Sequence, residues 1–493
     1  MNLLLHYQKK IFNSLKNLEK KKLIQISLQL KRFTVELPPK NHKADISCNA
    51  AMILAKVNKT SPIKLGEILK KHLLSNFKEF KSIEIAGPGF LNICFNISFW
   101  REYLTKIIKL DSKYGSNATL KKKYNIEFVS ANPTGPLHVG HCRGAVLGDV
   151  LSNLLSFNGN KVTKEYYVND YGEQIKSFVS SVYYRILEIT ENKTFPNDKN
   201  LYPGNYIIDI AKRIIKSKAI KDFINLEKIY KRLYSESLKH SMQLIKGNLN
   251  LLGVKHNNFV YESKLINNKT VSKVVKKLKK ENYIYEGKLD IPKGEQTKNW
   301  KIRNQLLFKS TLFGDDTDRA LQKADGAWTY FAGDMAYHSH KISRKFDVLI
   351  IILGADHAGY TKRIISATKA ISRNKVNLVC KVSQLVKLFK NGKPFKMSKR
   401  KGDYITAEDL IKEVGKDSTR FMMLNRSNDV ELDFDFEKVT EKSKDNPVFY
   451  VQYAYARINS IFRLLKLDLR SKIKLDNKKF TLNQYEIEIL KKI

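Results

Sequence analysis

The sequence predicts an α/β protein whose central part is a Rossmann-like, doubly wound parallel sheet. Two observations predict this class. Residues 124–168 follow a strand–loop–helix–strand pattern, which is how such a sheet begins. Later, 347–353 is a continuous aliphatic run, as expected of a central strand buried on both faces. The residues before and after this central part have different sequence patterns. We therefore predict an N-terminal α+β domain over 1–115, the α/β domain with insertions over 116–425, and a helical domain over 426–493.

The N-terminal region contains a helical pattern followed by strands. Residues 50–56 are mostly apolar and favour a helix, and short alternating strands follow between Ile83 and Phe95. The segment Ala86-Gly87-Pro88-Gly89 has the composition of a turn between two of these strands. The charged stretch 111–123 is typical of a linker.

In the central region, residues 125–129 and 162–168 are predicted as strands on either side of a helix. The helix ends at Asn158-Gly159, a plausible C-cap. A further helix is predicted after Thr406 and Asp409, which form a capping-box pair. The apolar stripe of the first helix is predicted to consist of Leu147, Leu151, Leu154 and Leu155.

The C-terminal region is predicted to be helical. Asn446-Pro447 is a good helix start, and a second helix begins near Asn483. The sequence stops at Ile493 within an apolar pattern, and two helices are few for a bundle. We therefore expect the helical domain to be incomplete. The predicted apolar stripe of the first helix in this domain consists of Ala454, Ile458, Ile461 and Leu465.

Charge and cysteine content narrow the class of protein. The 493 residues include 90 basic and 48 acidic side chains, a net charge of +42. Such a charge indicates a polyanionic partner, and nucleic acid is the first expectation, but the Lys-, Ile- and Asn-rich composition of an AT-rich genome explains it equally well. The four cysteines have no CxxC spacing, so we predict no metal site and a reducing compartment. No signal peptide or membrane span is evident, so a cytoplasmic protein without membrane contact is predicted.

The first chemical motif is the loop from Glu127 to His141, which lies between a predicted strand and a helix. Free backbone N–H groups at a helix start suit a triphosphate, and His138 and His141 can donate hydrogen bonds as charge moves onto leaving pyrophosphate. Gly140 leaves room for a flat adenine or ribose. Alone, this motif leaves a phosphate site, a metal site and an incidental turn about equally open.

The second motif is Lys396-Met397-Ser398-Lys399. Two lysines three residues apart near glycine can stabilise negative charge on the β- and γ-phosphates. In a chain this basic, a solvated run of charge is the better explanation for any single pair. The motif is therefore weak by itself.

The two motifs together, in this order, resemble the HIGH and KMSKS signatures of class I aminoacyl-tRNA synthetases. Val139 replaces the family's isoleucine and Arg400 its final serine. Longer runs resemble the arginyl branch of that family: 127–141, 167–175, 330–334, 396–406 and 446–454, with 86–91 similar to its extra N-terminal domain. The similarity extends over nearly the whole sequence.

The resemblance implies an arginine–tRNA ligase that uses ATP with Mg²⁺ as substrate, has no tightly bound cofactor, and has tRNA(Arg) and L-arginine as its other partners. We expect a monomer, in which 1–115 contacts tRNA and 426–493 binds the anticodon. The alternatives are a class I synthetase for glutamate, glutamine or cysteine, and a non-catalytic RNA-binding relative.

The resemblance also assigns site residues. His138, His141, Lys396 and Lys399 are the expected catalytic residues. Glu127, Asn132, Tyr330 and Asp334 are expected to hold arginine, and a guanidinium does need carboxylate partners. Without the motifs, structural salt bridges or strand caps would be the better explanation of Glu127 and Asp334. The expected ATP-binding residues are Ala131, Asn132, Pro133, Thr134, Gly135, Pro136, Leu137, His138, Val139, Gly140, His141, Gly354, Asp356, His357, Met397 and Ser398.

Overall fold

The structure is a computed structural model that describes residues 3–26, 33–39, 42–116, 121–267, 269–289, 303–395, 405–468 and 480–493. The chain divides into two compact units. One consists of Met1–Asn117 with Phe462–Ile493, and the other is Ala118–Ile461. The first boundary lies close to the predicted one at 115, whereas the predicted boundary at 425 lies within the second unit. The functional domain limits stay predictions.

The N-terminal residues form an α+β fold, as predicted. Their four strands make one antiparallel sheet in the order β1-β2-β4-β3. The predicted turn joins β3 to β4, and Gly87 and Gly89 have φ values of +50° and +120° there, which side chains rarely adopt. The elements are α1 (Leu3–Lys20), β1 (Val35–Glu36), β2 (Ile46–Cys48), α2 (Ala50–Ala55), α3 (Pro62–Asn76), β3 (Phe80–Ala86), β4 (Phe90–Phe95) and α4 (Ile97–Leu110).

The second unit begins at β5 and carries most of the remaining elements. They are β5 (Lys123–Glu127), α5 (Val139–Phe157), β6 (Lys161–Val168), α6 (Glu173–Glu191), α7 (Asn205–Ser217), α8 (Leu226–Leu251), β7 (Asn258–Tyr261), α9 (Glu262–Asn267), α10 (Thr270–Lys280), β8 (Ile284–Gly287), β9 (Gln305–Phe308), β10 (Arg319–Ala320), α11 (Tyr330–Ser343), β11 (Val348–Gly354), α12 (Thr361–Ser372), β12 (Asn377–Ser383), β13 (Val386–Lys390), β14 (Lys393–Phe395), α13 (Ala407–Val414), α14 (Lys416–Leu424), β15 (Leu432–Asp435) and α15 (Phe436–Thr440).

A five-stranded parallel sheet forms the centre of this unit. Its order is β12-β11-β5-β6-β7, and every neighbouring pair is parallel. The chain runs outward from β5 to β7 on one side and from β11 to β12 on the other. The direction of winding therefore reverses between β5 and β11, where doubly wound sheets bind ligands beyond their carboxyl ends. The predicted Rossmann-like class is confirmed.

The second unit also contains two smaller, three-stranded sheets. β8, β9 and β10 form an antiparallel sheet, and β13 pairs with both β14 and β15. The capping box predicted for α13 is present, since the Asp409 N–H donates to Thr406 Oγ1 at 3.0 Å and the Thr406 N–H to Asp409 Oδ2 at 3.1 Å.

Helix α5 has the predicted limits, and Leu147, Leu151 and Leu155 of its predicted stripe pack, partly buried, against the core, but the most buried face is a different one. Leu154 of the predicted stripe is 55% exposed. The buried face consists instead of small, polar and β-branched residues, because the end of β5 approaches the helix closely. A Cβ on Gly148 would lie 2.2 Å from the Phe128 ring. The buried residues are Val139, Cys142, Arg143, Ala145, Val146, Gly148, Asp149 and Ser152.

The last two helices are α16 (Pro447–Leu464) and α17 (Gln484–Lys492). Both begin where predicted, but the stripe of α16 is exposed; Ile458 and Ile461 are each 51% exposed. Helix α17 belongs to the unit of the N-terminal residues, and Leu490 is buried in that unit's core. Lys491 Nζ lies 2.7 Å from Asp45 Oδ1. The predicted 426–493 domain instead grouped α17 with α16.

Candidate active site

The loop after β5 is held in place by hydrogen bonds between its backbone groups and side chains of the surrounding elements. Four hydrogen bonds fix residues 131–137, which belong to the predicted ATP-binding segment. A loop held in this way is positioned before a ligand binds, which lowers the entropy lost on binding. The donors and acceptors are Tyr166 Oη to Ala131 O (2.8 Å), Ser241 Oγ to Pro133 O (2.8 Å), Tyr206 Oη to Thr134 O (2.9 Å) and Leu137 N to Asn248 Oδ1 (3.1 Å).

The two predicted catalytic histidines lie together at the first turn of α5. His138 is the N-cap residue, and its Nδ1 accepts a hydrogen bond from the Gly140 N–H at 3.1 Å. The His138 N–H donates to His141 Nδ1 at 3.2 Å, and the ring centroids are 3.8 Å apart. Since both Nδ1 atoms accept, each neutral ring carries its proton on Nε2. Both side chains thus have an Nε2–H donor beside the positive end of the helix dipole.

Gly140 is required for this arrangement of the histidines. A Cβ at position 140 would lie 2.9 Å from His138 Cε1 and 3.0 Å from His138 Nδ1. From the sequence, we expected the space at Gly140 to hold adenine or ribose. In the structure the His138 ring occupies it.

The backbone turns sharply where β5 ends. Val129 and Ser130 have φ values of +70° and +41°, and the Ser130 N–H donates to Phe128 O at 3.1 Å. A β-branched residue with positive φ is strained, and such strain concentrates at functional sites. This turn ends the strand at Glu127, two residues before the predicted end. It places Ser130 Oγ between Glu127 Oε1 (3.2 Å) and the Tyr167 N–H (3.0 Å).

Asp334 and Tyr330 lie one turn apart on α11. Tyr330 begins the helix and is 78% exposed, and Asp334 is half-buried. The Tyr360 hydroxyl donates to Asp334 Oδ2 at 2.5 Å. Burial raises the pKa of Asp334 to about 6, and the charge of Glu127 adds to the rise; the Tyr360 hydrogen bond and Lys341 oppose it. Two of the four predicted arginine-binding residues, Asp334 and Glu127, are therefore close enough to interact.

Glu127 forms an ion pair within the protein. It is 8% exposed, and its Oε2 contacts the Nζ of Lys341, which is fully buried. The structural salt bridge considered in the sequence analysis is therefore present, and a direct contact between Glu127 and arginine stays a prediction. Asn132 is exposed, and its Nδ2 donates to Gln174 Oε1 at 2.7 Å.

A second buried carboxylate, Glu165 of β6, has its negative charge balanced by cations of the protein. Burial alone would raise its pKa, but hydrogen bonds from Arg344, together with the charges of Lys341 and Arg344, lower it to about 2. The remaining partners are neutral donors. The bonds to Glu165 come from Arg344 Nη1 (2.5 Å) and Nη2 (2.9 Å), Tyr337 Oη (2.8 Å), Asn258 Nδ2 (2.8 Å) and Asn125 Nδ2 (3.0 Å).

Glu262 is a candidate site residue that was not among those predicted from the sequence. It directly follows β7 at the carboxyl edge of the sheet. Burial, together with the charges of Asp334 and Asp170, raises its pKa to about 7 in spite of a hydrogen bond from Tyr167 that lowers it. The charge of Asp334 therefore acts on Glu262, and among the described residues neither carboxylate is within salt-bridge distance of a cation, although the charge of Lys341 lowers the pKa of Asp334. No sequence motif marks Glu262; only its place at a strand end indicates it.

The residues predicted on the adenosine side follow β11. Gly354 ends that strand, and Asp356 and His357 lie in a 3-10 helix that follows it. Both side chains are exposed, and His357 Nε2 lies 3.3 Å from Asp356 Oδ2. They occupy the carboxyl edge of the sheet, next to β5, as predicted.

Lys396, Met397, Ser398 and Lys399 lie outside the described residues, but both flanks of this motif are described. Before it, β14 ends at Phe395 and pairs with β13. After it, Thr406 forms a β-bridge with His138. The Val139 N–H donates to Ile405 O at 3.3 Å and the Ala407 N–H to Leu137 O at 2.8 Å. The chain that leaves the second motif is therefore hydrogen-bonded to the first.

Comparison with known proteins agrees with this geometry. Residues 103–462 match the family model of the class I tRNA synthetase (R) catalytic domain, and residues 6–95 match the arginyl tRNA synthetase N-terminal domain. The arginine–tRNA ligase of Pelagibacter ubique is 54% identical over the whole chain and 86% of its own length. That of a Brugia malayi Wolbachia is 47% identical over 90% of this chain and 78% of its own length.

A solved structure agrees as well. A Campylobacter jejuni protein named as an arginyl-tRNA synthetase is 30% identical, with a TM-score of 0.68 over 80% of this chain and 83% of that one. The family models cover both the sheet that carries the site and the N-terminal α+β region. The chain belongs to the arginyl-tRNA synthetase family of class I tRNA synthetases.

Proposed function

We infer that this chain is an arginine–tRNA ligase whose specificity lies in the Asp334–Glu262 pair. The observation that carries the choice of this pair is their place in the fold: Asp334 lies one turn into α11, within reach of the charge of Glu127, and Glu262 directly follows β7, and the pKa values of both are raised, to about 6 and about 7. They lie at the same sheet edge as the helix start that carries His138 and His141. A cationic side chain of the substrate would neutralise the two carboxylates. The start of α5 would stabilise phosphate.

Arginine fits this pocket better than the other common amino acids. Its guanidinium is planar and always charged, and its donors can serve two carboxylates at once. We propose that Asp334 and Glu262 accept those hydrogen bonds and that Tyr330, one turn from Asp334, covers the guanidinium. Asn132, on the loop beside Glu127, would bind the amino acid's polar backbone end. Glu127, through Lys341, would set the charge next to Asp334.

ATP would bind across the loop 131–141 and the start of α5. His138 and His141 would donate Nε2–H hydrogen bonds to phosphate oxygens, and Gly354, Asp356 and His357 would lie toward adenosine. Lys396 and Lys399, with Met397 and Ser398, would approach the β- and γ-phosphates as charge develops there. We expect Mg²⁺ to arrive with ATP and to bind the phosphates.

The chemistry is two transfers without a covalent enzyme intermediate. An oxygen of the arginine carboxylate attacks the α-phosphorus of ATP, the bond to the bridging oxygen breaks, and pyrophosphate leaves with the negative charge. The 2′-hydroxyl of the terminal adenosine of tRNA then attacks the carbonyl carbon, loses its proton, and displaces AMP. Positioning and electrostatic stabilisation account for catalysis in both steps.

The tRNA partner agrees with the basic composition. A net charge of +42 favours a polyanion, and counterion release would make that binding fall steeply with salt. Among the described residues, no helix is long and apolar enough to cross a membrane. We propose a cytoplasmic location and a monomer.

Pyrophosphate exchange with each amino acid, in the presence and absence of tRNA, tests the proposal. We expect exchange with arginine only, and the resemblance predicts that tRNA is needed for it. Exchange with glutamine, glutamate or cysteine would assign the chain to another class I specificity. Binding of tRNA without exchange under any condition would identify a non-catalytic RNA-binding protein.

A further inference from the structure

Asp170 is a buried carboxylate that lies next to the arginine pocket without being part of it. It follows β6, is 3% exposed, and accepts hydrogen bonds from two other elements. The Ser263 N–H donates to Oδ1 at 2.9 Å and the Ser263 hydroxyl to Oδ2 at 2.7 Å. The Tyr234 hydroxyl of α8 lies 3.1 Å from Oδ2 and 2.9 Å from the Asp170 carbonyl oxygen. Asp170 therefore joins β6, α8 and α9.

The contact with Ser263 determines where Glu262 lies. Ser263 is the second residue of α9 and Glu262 is the first. The Ser263 N–H is in the first turn, so it has no partner within the helix, and the Asp170 carboxylate supplies one. With its amide nitrogen toward the carboxylate, Asn169 also donates to Glu262 Oε2 at 2.6 Å. Two consecutive residues after β6 thus hold the first two residues of α9.

We propose that Asp170 is a positioning residue for arginine recognition, which acts by holding Ser263 so that Glu262 stays beside Asp334. This inference rests on the proposed contact between Glu262 and arginine. The Asp170 oxygens are occupied by Ser263 and Tyr234, so Asp170 makes no contact of its own with the substrate. Its removal acts on arginine binding through Glu262: the loss of the hold on Ser263 weakens binding, and the loss of the Asp170 charge, which raises the pKa of Glu262, opposes that effect.

A double-mutant cycle separates this role from a general structural one. Asp170→Asn and Glu262→Gln are made singly and together, and the kinetics of arginine activation are measured at saturating ATP. We expect the KM for arginine to rise about ten-fold in each single variant, with kcat changed less than about three-fold. The double variant should be no weaker than Glu262→Gln alone, because both changes remove the same interaction. Additive losses would overturn the inference.

Two further variants protect the test from a loss of folding. Ser263→Ala removes only the 2.7 Å hydroxyl bond and should reproduce part of the rise in KM. Asp149→Asn is the matched control, since Asp149 is equally buried and bonds to Lys164 and Arg420 rather than to α9. It should lower the Tm while leaving the KM for arginine unchanged. An equal rise in KM in Asp149→Asn would show that any buried defect has this effect, and would overturn the inference.

The same measurements separate the inference from the proposed function. If Glu262→Gln leaves the KM for arginine unchanged, the proposed arginine contact is wrong and the role of Asp170 falls with it. If Glu262→Gln raises the KM but Asp170→Asn leaves it unchanged, the contact stands and only the positioning role is wrong.

Discussion

Glu165 and Asp334 are two acidic residues of the same unit that have opposite electrostatic surroundings. Glu165 accepts five hydrogen bonds, two of them from the Arg344 guanidinium, and its pKa falls to about 2. Asp334 accepts one from a neutral hydroxyl, and burial raises its pKa to about 6. Among the described residues, Arg344 and Lys341 lie within salt-bridge distance of Glu165, whereas no cation lies that close to Asp334 and only the charge of Lys341 lowers its pKa.

We propose that this difference separates structural from functional carboxylates. A buried acid that is matched by the protein's own cations holds elements together, whereas one without such a match stores unfavourable energy until a cation binds. Glu262 resembles Asp334 in this respect, because its pKa is raised to about 7. Glu127 is intermediate, since it pairs with Lys341 and also acts on Asp334.

Glu165→Gln should give the largest effect, and on stability. It leaves Arg344 without its counter-charge, whereas Lys341 keeps Glu127, and breaking a buried pair costs about 3–5 kcal/mol. Urea and thermal unfolding measure the loss. Because the folded-state pKa of Glu165 is depressed, this stability is present above the unfolded value of 4.5 and is lost as pH falls toward 2. The variant should therefore lose the part of the acid sensitivity that this group causes. An unchanged Tm would contradict the structural assignment.

Asp334→Asn should affect substrate binding instead. Loss of one charge-assisted pair, about 1.5–3 kcal/mol, raises the KM for arginine about ten- to a hundred-fold. The KM for ATP should barely change. Without substrate, this variant should be at least as stable as the unchanged protein at pH 7, because the ionised, desolvated acid is removed. A rise in the KM for ATP alone would place Asp334 on the nucleotide side.

The pH dependence of arginine binding should follow the raised pKa values. Arginine binds the ionised carboxylates, so its KM should rise as pH falls from 8 to 6 and first Glu262, then Asp334 becomes protonated. The change is on the order of ten-fold for values of about 7 and 6. Steady-state kinetics at constant ionic strength measure it. Glu262→Gln should flatten the upper part of the curve, and an identical curve in that variant would contradict the assignment.

Tyr360→Phe should give the smallest effect. It removes one neutral hydrogen bond to Asp334, worth about 0.5–1.5 kcal/mol, so the KM for arginine should rise about two- to ten-fold. Because that bond lowers the pKa of Asp334, the rise in KM on acidification should begin at a higher pH. Tyr285→Phe is the matched control, since the Tyr285 hydroxyl likewise donates to a carboxylate, Asp318 Oδ2, at 2.9 Å. It should lower the Tm and leave the KM for arginine unchanged.

The order of elements and the motif residues could be predicted from the sequence, because strand and helix periodicity is local. Helix α5 and the capping box at Thr406 were correctly placed for that reason. The pairing of Glu127 with Lys341 was not predictable, since Lys341 looks like one more surface lysine in a basic chain. Glu262 was missed because strand order alone brings it near Asp334. The packing of Leu490 likewise depends on a contact between distant parts of the chain.

The hydrogen bonds that join Leu137 and Val139 to Ile405 and Ala407 have a consequence for synthesis of the protein. A ribosome produces the histidine-bearing helix start early and its bridging partner much later. Contacts between such distant positions form slowly, because the whole intervening chain must be closed into a loop first. A nascent chain that has not yet reached Ala407 lacks this bridge, so the surface that we propose binds phosphate is incomplete. Competence to bind nucleotide should therefore appear in one late step of folding and not grow gradually with chain length.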